Sequence, residues 1–312
     1  MTQMNRRTFA QTVALGLGAA ALPVWAQGKK TLKIAYTNTT WPSFKGPATT
    51  PGGPRPILPD AVEAFFKDVS SLGFYAAELH GDEIEGMESR GGVGQLIEKY
   101  NLPLIASYSS PNLIDPAAKQ ETIQGLVANA TLVKKYGVKI MVIAPNNVDR
   151  ATYVFADHKA NIIATLNEAA KAIADLGLTT ALHQHTGTAV ETRDETYAVM
   201  EAVDTRYLKF SPDVGQLQKG GADPVQVVKD FLPITHHMHL KDYVGGAEYA
   251  GYCPLGQGKV NLSAILDMME GHPMNGMIVV ELDKSPNMPL TALETAKIAK
   301  AYLQTQGVTF RS

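Results

Sequence analysis

From Thr31 onward, short apolar runs rich in β-branched residues alternate with longer stretches whose apolar positions recur every three or four residues. The short runs are strand candidates: Leu32–Thr37, Tyr75–His80, Pro103–Ser109, Lys139–Ala144, Thr179–His185, Leu208–Asp213, Ile234–Lys241 and Met277–Leu282. Between them the spacing predicts helices over Ala61–Val69, Glu121–Lys135, Lys159–Leu176 and Pro224–Phe231, among others. Gly73, Gly137 and Gly177 stand where helix C-caps are wanted, just ahead of the next strand. Successive strands lie a few tens of residues apart, the length of a βα unit whose helix returns over the sheet. Eight such units predict an α/β chain folded as one (β/α)8 TIM barrel. An open doubly wound sheet is the competitor. It would use fewer units and usually a glycine-rich phosphate turn, whereas Tyr36–Trp41 follows the first strand here. The aperiodic, Pro- and Gly-rich Pro42–Pro59 is expected to be a long loop over the barrel mouth.

Composition supports one globular unit. The chain has 312 residues, 45% hydrophobic and 19% charged, enough apolar surface to offset the entropy of ordering. Twenty-eight Lys and Arg against 30 Asp and Glu leave a net charge of -2, without the basic excess that nucleic-acid binding usually needs. Cys253 is the sole cysteine, which excludes an internal disulfide and any cluster of thiolate ligands. Metal chemistry must therefore rest on His, Asp, Glu and Gln.

The N-terminus is set apart from the barrel. Arg6-Arg7 precedes an apolar stretch from Val13 to about Trp25, ending at Val24-Trp25-Ala26. This is the pattern of a twin-arginine export signal over residues 1–27, with the barrel in 28–312. The stretch is too short to span a hydrocarbon core of about 30 Å, so no stable membrane anchor is expected. An uncleaved amphipathic helix is the alternative. The expected location is a bacterial periplasm, reached with the help of the twin-arginine machinery.

Residues at the C-terminal ends of barrel strands line the catalytic mouth. Six of the eight histidines, His80, His183, His185, His236, His237 and His239, fall at predicted strand ends. Side chains two apart on a strand share a face, so His183 pairs with His185, and His237 with His239 and Lys241. The sixth and eighth candidate strands end in Asp213 and Glu281, either of which might instead cap or pair at a loop start. One inward ligand from each of strands five to eight can converge on a divalent ion. Two imidazoles and two carboxylates suit Mn, Fe, Co or Zn better than Mg.

At these residues the chain resembles the xylose isomerase-like barrel superfamily, which includes sugar isomerases, ketose 3-epimerases and inosose dehydratase. Gly73-Phe74-Tyr75-Ala76-Ala77-Glu78-Leu79 is similar to the family's second strand, and His183-Gln184-His185-Thr186-Gly187-Thr188 to the fifth in the inosose dehydratase branch. Asp213-Val214-Gly215-Gln216 resembles its Asp-x-Gly-His turn, His237–Asp242 its seventh strand, and Pro254–Val260 its Pro-Leu-Gly-x-Gly-x-Val loop. The resemblance implies metal ligands at His183, Asp213, His239 and Glu281. Two departures stand out. His183 replaces a glutamate that moves protons in the epimerases, and Gln216 replaces a histidine that touches substrate.

The implied chemistry is metal-assisted enolisation of a non-phosphorylated keto-sugar, keto-glycoside or cyclitol ketone, of the isomerase or dehydratase-lyase kind. Glu281 is expected to act as ligand and base, with Lys241 or His185 as acid; the alternative for Lys241 is pairing with Asp242 or Glu281. Glu78, His80, Tyr108, Gln216 and His237 are expected to contact substrate, and Trp41 to stack on a sugar ring. The rival reading is a non-catalytic periplasmic sugar- or metal-binding protein on the same fold. A ketose 3-epimerase and an endonuclease IV-like phosphodiesterase rank below it. Homo-oligomerisation is left open. The export signal predicts that Arg6→Lys together with Arg7→Lys leaves precursor in the cytoplasm; fractionation showing normal periplasmic accumulation would show the signal misread.

Overall fold

The computed structural model describes residues 28–44, 56–286 and 288–312. The expected export signal lies outside the described residues, as does most of the Pro42–Pro59 loop.

Eight parallel strands form one sheet: β1 (Ile34–Thr37), β2 (Ala77–His80), β3 (Leu104–Ser109), β4 (Ile140–Ile143), β5 (Thr179–Leu182), β6 (Leu208–Phe210), β7 (Met238–Leu240) and β8 (Ile278–Val280). Pairing runs in sequence from β1 to β6, while β8 lies between β1 and β7. Isolated parallel bridges Phe210–Thr235 and Asp213–His239 bring β6 to β7 and complete the ring. The chain thus builds the expected (β/α)8 barrel.

Ten α-helices are described: α1 (Pro59–Ser71), α2 (Gly81–Glu88), α3 (Gly94–Tyr100), α4 (Lys119–Lys134), α5 (Phe155–Asp175), α6 (Arg193–Met200), α7 (Val214–Lys219), α8 (Pro224–Phe231), α9 (Leu262–Met269) and α10 (Ala292–Thr305). None is long and apolar enough to cross a membrane. The main helices bury one apolar stripe against the barrel, as Val62, Phe65, Phe66 and Val69 do in α1. Gly73, Gly137 and Gly177 take φ of 79°, 82° and 82°, the left-handed conformation that ends a helix most cheaply at glycine.

Two layers of side chains fill the upper barrel. On β7, Met238 and Leu240 join the outer hydrophobic core, while His237, His239 and Lys241 form the opposite, inward series. Beyond β7, Asp242 accepts backbone N–H groups of Gly256 (3.0 Å), Gly258 (2.8 Å) and Val260 (3.2 Å), fixing the loop that follows. That engagement takes Asp242 out of the running as the partner of Lys241.

Trp41 corrects an expectation. Its ring packs edge-on to Phe65 (5.2 Å) and Tyr36 (5.6 Å), and its indole N–H donates to Asp68 at 3.1 Å. Largely buried against α1 side chains, it belongs to the core, and its indole is spent on packing and on Asp68.

Candidate metal centre

Strands β5 to β8 each deliver one side chain to a buried cluster at or just beyond their C-terminal ends. His183 follows β5, Asp213 starts α7 after β6, His239 lies within β7, and Glu281 follows β8. Their ligand atoms all lie within 4.8 Å of one another.

Asp213 divides its two oxygens. Oδ1 accepts the N–H groups of Gly215 (2.9 Å) and Gln216 (3.0 Å), capping α7. Oδ2 is left facing the cluster, 3.1 Å from Lys241 Nζ and 3.9 Å from His183 Nε2. Capping and cluster formation are thus compatible, because a carboxylate has an oxygen for each. Burial pushes the Asp213 carboxyl up, against the pull of Lys241. Glu281 is also buried, yet Lys241 and His239 hold it well below the usual carboxylate range. It accepts from His239 Nδ1 at 2.6 Å and from Thr39 at 3.2 Å.

Lys241 is fully enclosed, 3.1 Å from each of Asp213, Glu281 and Asp283, and its Nζ sits 4.7 Å from the centre of the Tyr252 ring. Burial alone would drive it neutral, but these carboxylates hold it well above the ordinary lysine value. The sequence reading missed Asp283, although its spacing two residues beyond Glu281 is the signal of a shared face.

His183 is the residue that decides how the cluster fits a cation. It is completely buried, and neither ring nitrogen has a hydrogen-bond partner. Burial, with the neighbouring charged His239, pushes it well below the usual histidine value and keeps it neutral. A neutral imidazole with an unused lone pair inside a protein costs about 1–3 kcal/mol, unless that lone pair has an acceptor such as a metal ion. Charge points the same way. The carboxylates of Glu78, Asp213, Glu281 and Asp283 gather at this end of the barrel, against the cationic side chains of Lys241 and His239. Those residues leave room for a divalent cation, which would neutralise the deficit.

Glu78 and His237 lie in the layer beneath and both are fully buried. Met277 N–H donates to His237 Nδ1 at 3.2 Å, which fixes the other nitrogen, Nε2, as the donor to Glu78 at 2.9 Å. The other Glu78 oxygen sits 2.8 Å from His239 Nε2. These two imidazoles offset the effect of burial and hold the Glu78 carboxyl down at about 2. Glu78, His237 and His239 also lie within ligand distance of one another. His237, however, has both nitrogens engaged, so this lower trio is an ion-pair network that orients His239. The placement corrects the expected contact of Glu78 and His237 with substrate: they share the inward face but sit one layer too deep.

Gln216 is placed differently from expectation too. Its Oε1 accepts from the Thr186 backbone N–H (3.2 Å) and hydroxyl (2.6 Å) and from the Tyr252 hydroxyl, so its amide NH2 must face His185 Nε2 at 2.7 Å. His185 Nδ1 then donates to the Thr186 carbonyl at 2.7 Å. Gln216 is buried and spends its polar atoms on protein partners, so it positions His185. His80, Tyr108 and His185 do reach open space at the mouth, where they line a cavity of about 680 Å³.

Residues 66–304 match the family model described as Xylose isomerase-like TIM barrel. The chain belongs to this family. Among family relatives, the inosose dehydratase of Clostridium botulinum (strain Alaska E43 / Type E3) is 22% identical over 234 residues, covering 67% of this chain and 78% of that protein. Two solved structures share the fold. The probable 3-DHS dehydratase AsbF from Bacillus anthracis has a TM-score of 0.68 at 16% identity, covering 88% of this chain and 99% of that one. The IOLI protein with a bound zinc atom has a TM-score of 0.69 at 18% identity, covering 88% and 98%.

The cluster predicts that Asp213→Ala or His239→Ala abolishes stoichiometric divalent-metal binding while far-ultraviolet circular dichroism stays folded. Glu78→Gln, acting through His239, should weaken metal affinity by roughly 10–100-fold. Full metal occupancy in both alanine variants, measured by atomic emission on dialysed protein, would sink the ligand set.

Proposed function

We propose that this protein is a divalent-metal-dependent enzyme that enolises a keto-sugar, keto-glycoside or cyclitol ketone, as a dehydratase-type lyase or an isomerase. His183, Asp213, His239 and Glu281 would hold the ion. The single observation that carries the reading is His183: a neutral imidazole at the place where a second proton-moving carboxylate would be needed for epimerisation. The names of the relatives, inosose dehydratase and probable 3-DHS dehydratase, and the zinc in the IOLI protein support the same chemistry.

A bound divalent ion supplies electrophilic polarisation of a carbonyl and its neighbouring hydroxyl, worth several kcal/mol of charge stabilisation. This chain's residues do the rest. Glu281 is held ionised at the upper edge of the cluster, and its carboxylate takes the proton α to the carbonyl. Lys241 returns a proton from Nζ to the departing hydroxyl or to the new oxygen anion. Both candidate acids have their N–H groups on protein partners, Lys241 on three carboxylates and His185 on the Thr186 carbonyl, so either must release one to act. Asp213 and Glu281, which hold Lys241 protonated, would also hold the ion, and its charge would make the Lys241 proton easier to give. General acid–base help of this kind is typically worth about 10²–10⁴ in rate.

One carboxylate base on one face favours elimination, or isomerisation without inversion, over exchange of configuration at a single carbon. The proposed twin-arginine export adds a preference for non-phosphorylated substrates, since phosphorylated sugars are mainly cytoplasmic. NMR in deuterium oxide should show solvent deuterium entering the α position of an inosose or 3-keto-glycoside with the metal-loaded wild type. Glu281→Gln should suppress that uptake even where metal is retained. Clean interconversion of two C3-epimeric ketoses by the wild type would overturn the one-base mechanism.

A further inference from the structure

We infer that Thr39 is a positioning residue for the proposed base: its hydroxyl aims Glu281 Oε1 at the substrate proton, while Glu281 Oε2 serves the cation site. This inference rests on the enolisation reading of the metal centre.

The two oxygens of Glu281 have different surroundings. Oε2 lies 2.6 Å from His239 Nδ1 and 3.1 Å from Lys241 Nζ, the same ammonium that sits 3.1 Å from Asp213 Oδ2. It is the oxygen turned into the cluster. Among the described residues, Oε1 accepts one hydrogen bond, from the Thr39 hydroxyl at 3.2 Å. A carboxylate oxygen offers two lone-pair directions. Thr39 fills one of them at Oε1 and leaves the other for a proton arriving from carbon. When the C–H bond α to the carbonyl breaks, its proton joins Oε1. Its electron pair becomes the C=C bond of the enolate, and the negative charge moves to the former carbonyl oxygen. Oε2 keeps its contacts through the step, so one side chain serves as ligand and base without turning.

The backbone around Thr39 is held from several sides. Asn38–Thr40 forms one 3₁₀ turn directly after β1, closed by the Trp41 N–H on the Asn38 carbonyl at 2.8 Å. Asn38 Nδ2 donates to buried Glu83 at 2.6 Å and to Ser43 Oγ at 3.2 Å. Thr40 Oγ1 donates to the Leu282 carbonyl at 2.7 Å, which pins the turn to the residue after Glu281. Asn38 and Thr40 are thus buried and spent on protein partners, and Thr39 is the side chain of the turn aimed at the base. Its one hydroxyl hydrogen goes to Glu281, so Thr37 Oγ1, 3.4 Å away, is the donor in the contact between the two hydroxyls. That order of donors fixes the Thr39 rotor.

A strut between β1 and β8 is the competing role. The two strands already pair over Ile34–Tyr36 and Ile278–Val280, and Thr40 ties the segments beyond them. The Thr39 hydroxyl adds little to that joint and acts on the carboxylate.

The test uses Thr39→Val, which keeps the shape and removes the donor, and Thr39→Ser, which keeps the donor. On the metal-loaded protein, kcat and KM are read from deuterium uptake into an inosose or 3-keto-glycoside, and zinc Kd from calorimetry. Thr39→Val should lower kcat about 10–100-fold, the cost of a misaimed reacting group, and leave KM and zinc Kd within about threefold. Thr39→Ser should recover most of the lost kcat. Thr39→Ala gives the same reading should the valine variant not fold by circular dichroism. An unchanged kcat in the folded variant lacking the donor removes the positioning role and leaves the enolisation reading. Zinc binding weakened about tenfold or more, or no recovery in Thr39→Ser, shows a merely structural contact and also overturns the inference. No uptake from either ketone by the metal-loaded wild type removes the enolisation reading, and the positioning role with it.

Discussion

The upper end of this barrel gathers more carboxylates than cationic side chains. Glu78, Asp213 and Glu281 are enclosed within it, Asp283 stands at its edge, and Lys241 is the fixed positive charge among them. Uncompensated carboxylates in so dry a place would simply take up protons. The arrangement makes sense as a scaffold for a divalent cation. Each remaining feature either balances that charge or aims a ligand. Asp213 uses one oxygen to cap α7 and keeps the other free; Glu78 and His237 steady His239 from below; Tyr252 covers Lys241.

The barrel also explains why such a cluster can persist. Replacing buried ion pairs with apolar residues often costs nothing in stability, so a network of this kind is weak support for a structural role. Perturbed carboxylates and imidazoles gathered at the C-terminal mouth of a barrel point to chemistry instead. His183 is the sharpest case. A side chain held neutral, buried and without a hydrogen-bond partner serves no packing purpose that leucine would not serve better.

Much of this was legible in the sequence, for a physical reason. Period-two alternation and helical spacing are imposed by burial, so all eight strands and four of the helices between them were read from apolar positions. Face parity grouped His183 with His185 and His237 with His239 and Lys241, while the family resemblance picked out His183, Asp213, His239 and Glu281 as the set. Parity does not encode height, however. His237 shares the inward face of His239 but lies two residues deeper, and Glu78 faces it across the barrel, so both were expected at the mouth and both sit beneath it. Trp41 was misread because an aromatic residue near a strand end looks the same whether it turns toward solvent or into α1. Gln216 could not be placed from its neighbours in sequence, since its orientation depends on Thr186 and Tyr252, which only the fold brings to it. The cavity walls left no pattern at all, because Ser109, Asn129 and Asn147 come from a strand end, a helix and a loop.

The central claim is that His183 and His239 together bind a divalent ion with Asp213 and Glu281. X-ray absorption spectroscopy of the zinc-loaded protein tests it most directly. One ion per chain should show two imidazole nitrogens at about 2.0–2.1 Å beside carboxylate oxygens, and His183→Ala should remove one of the imidazoles. Absence of a stoichiometric ion, or a coordination sphere unchanged by that substitution, would contradict it.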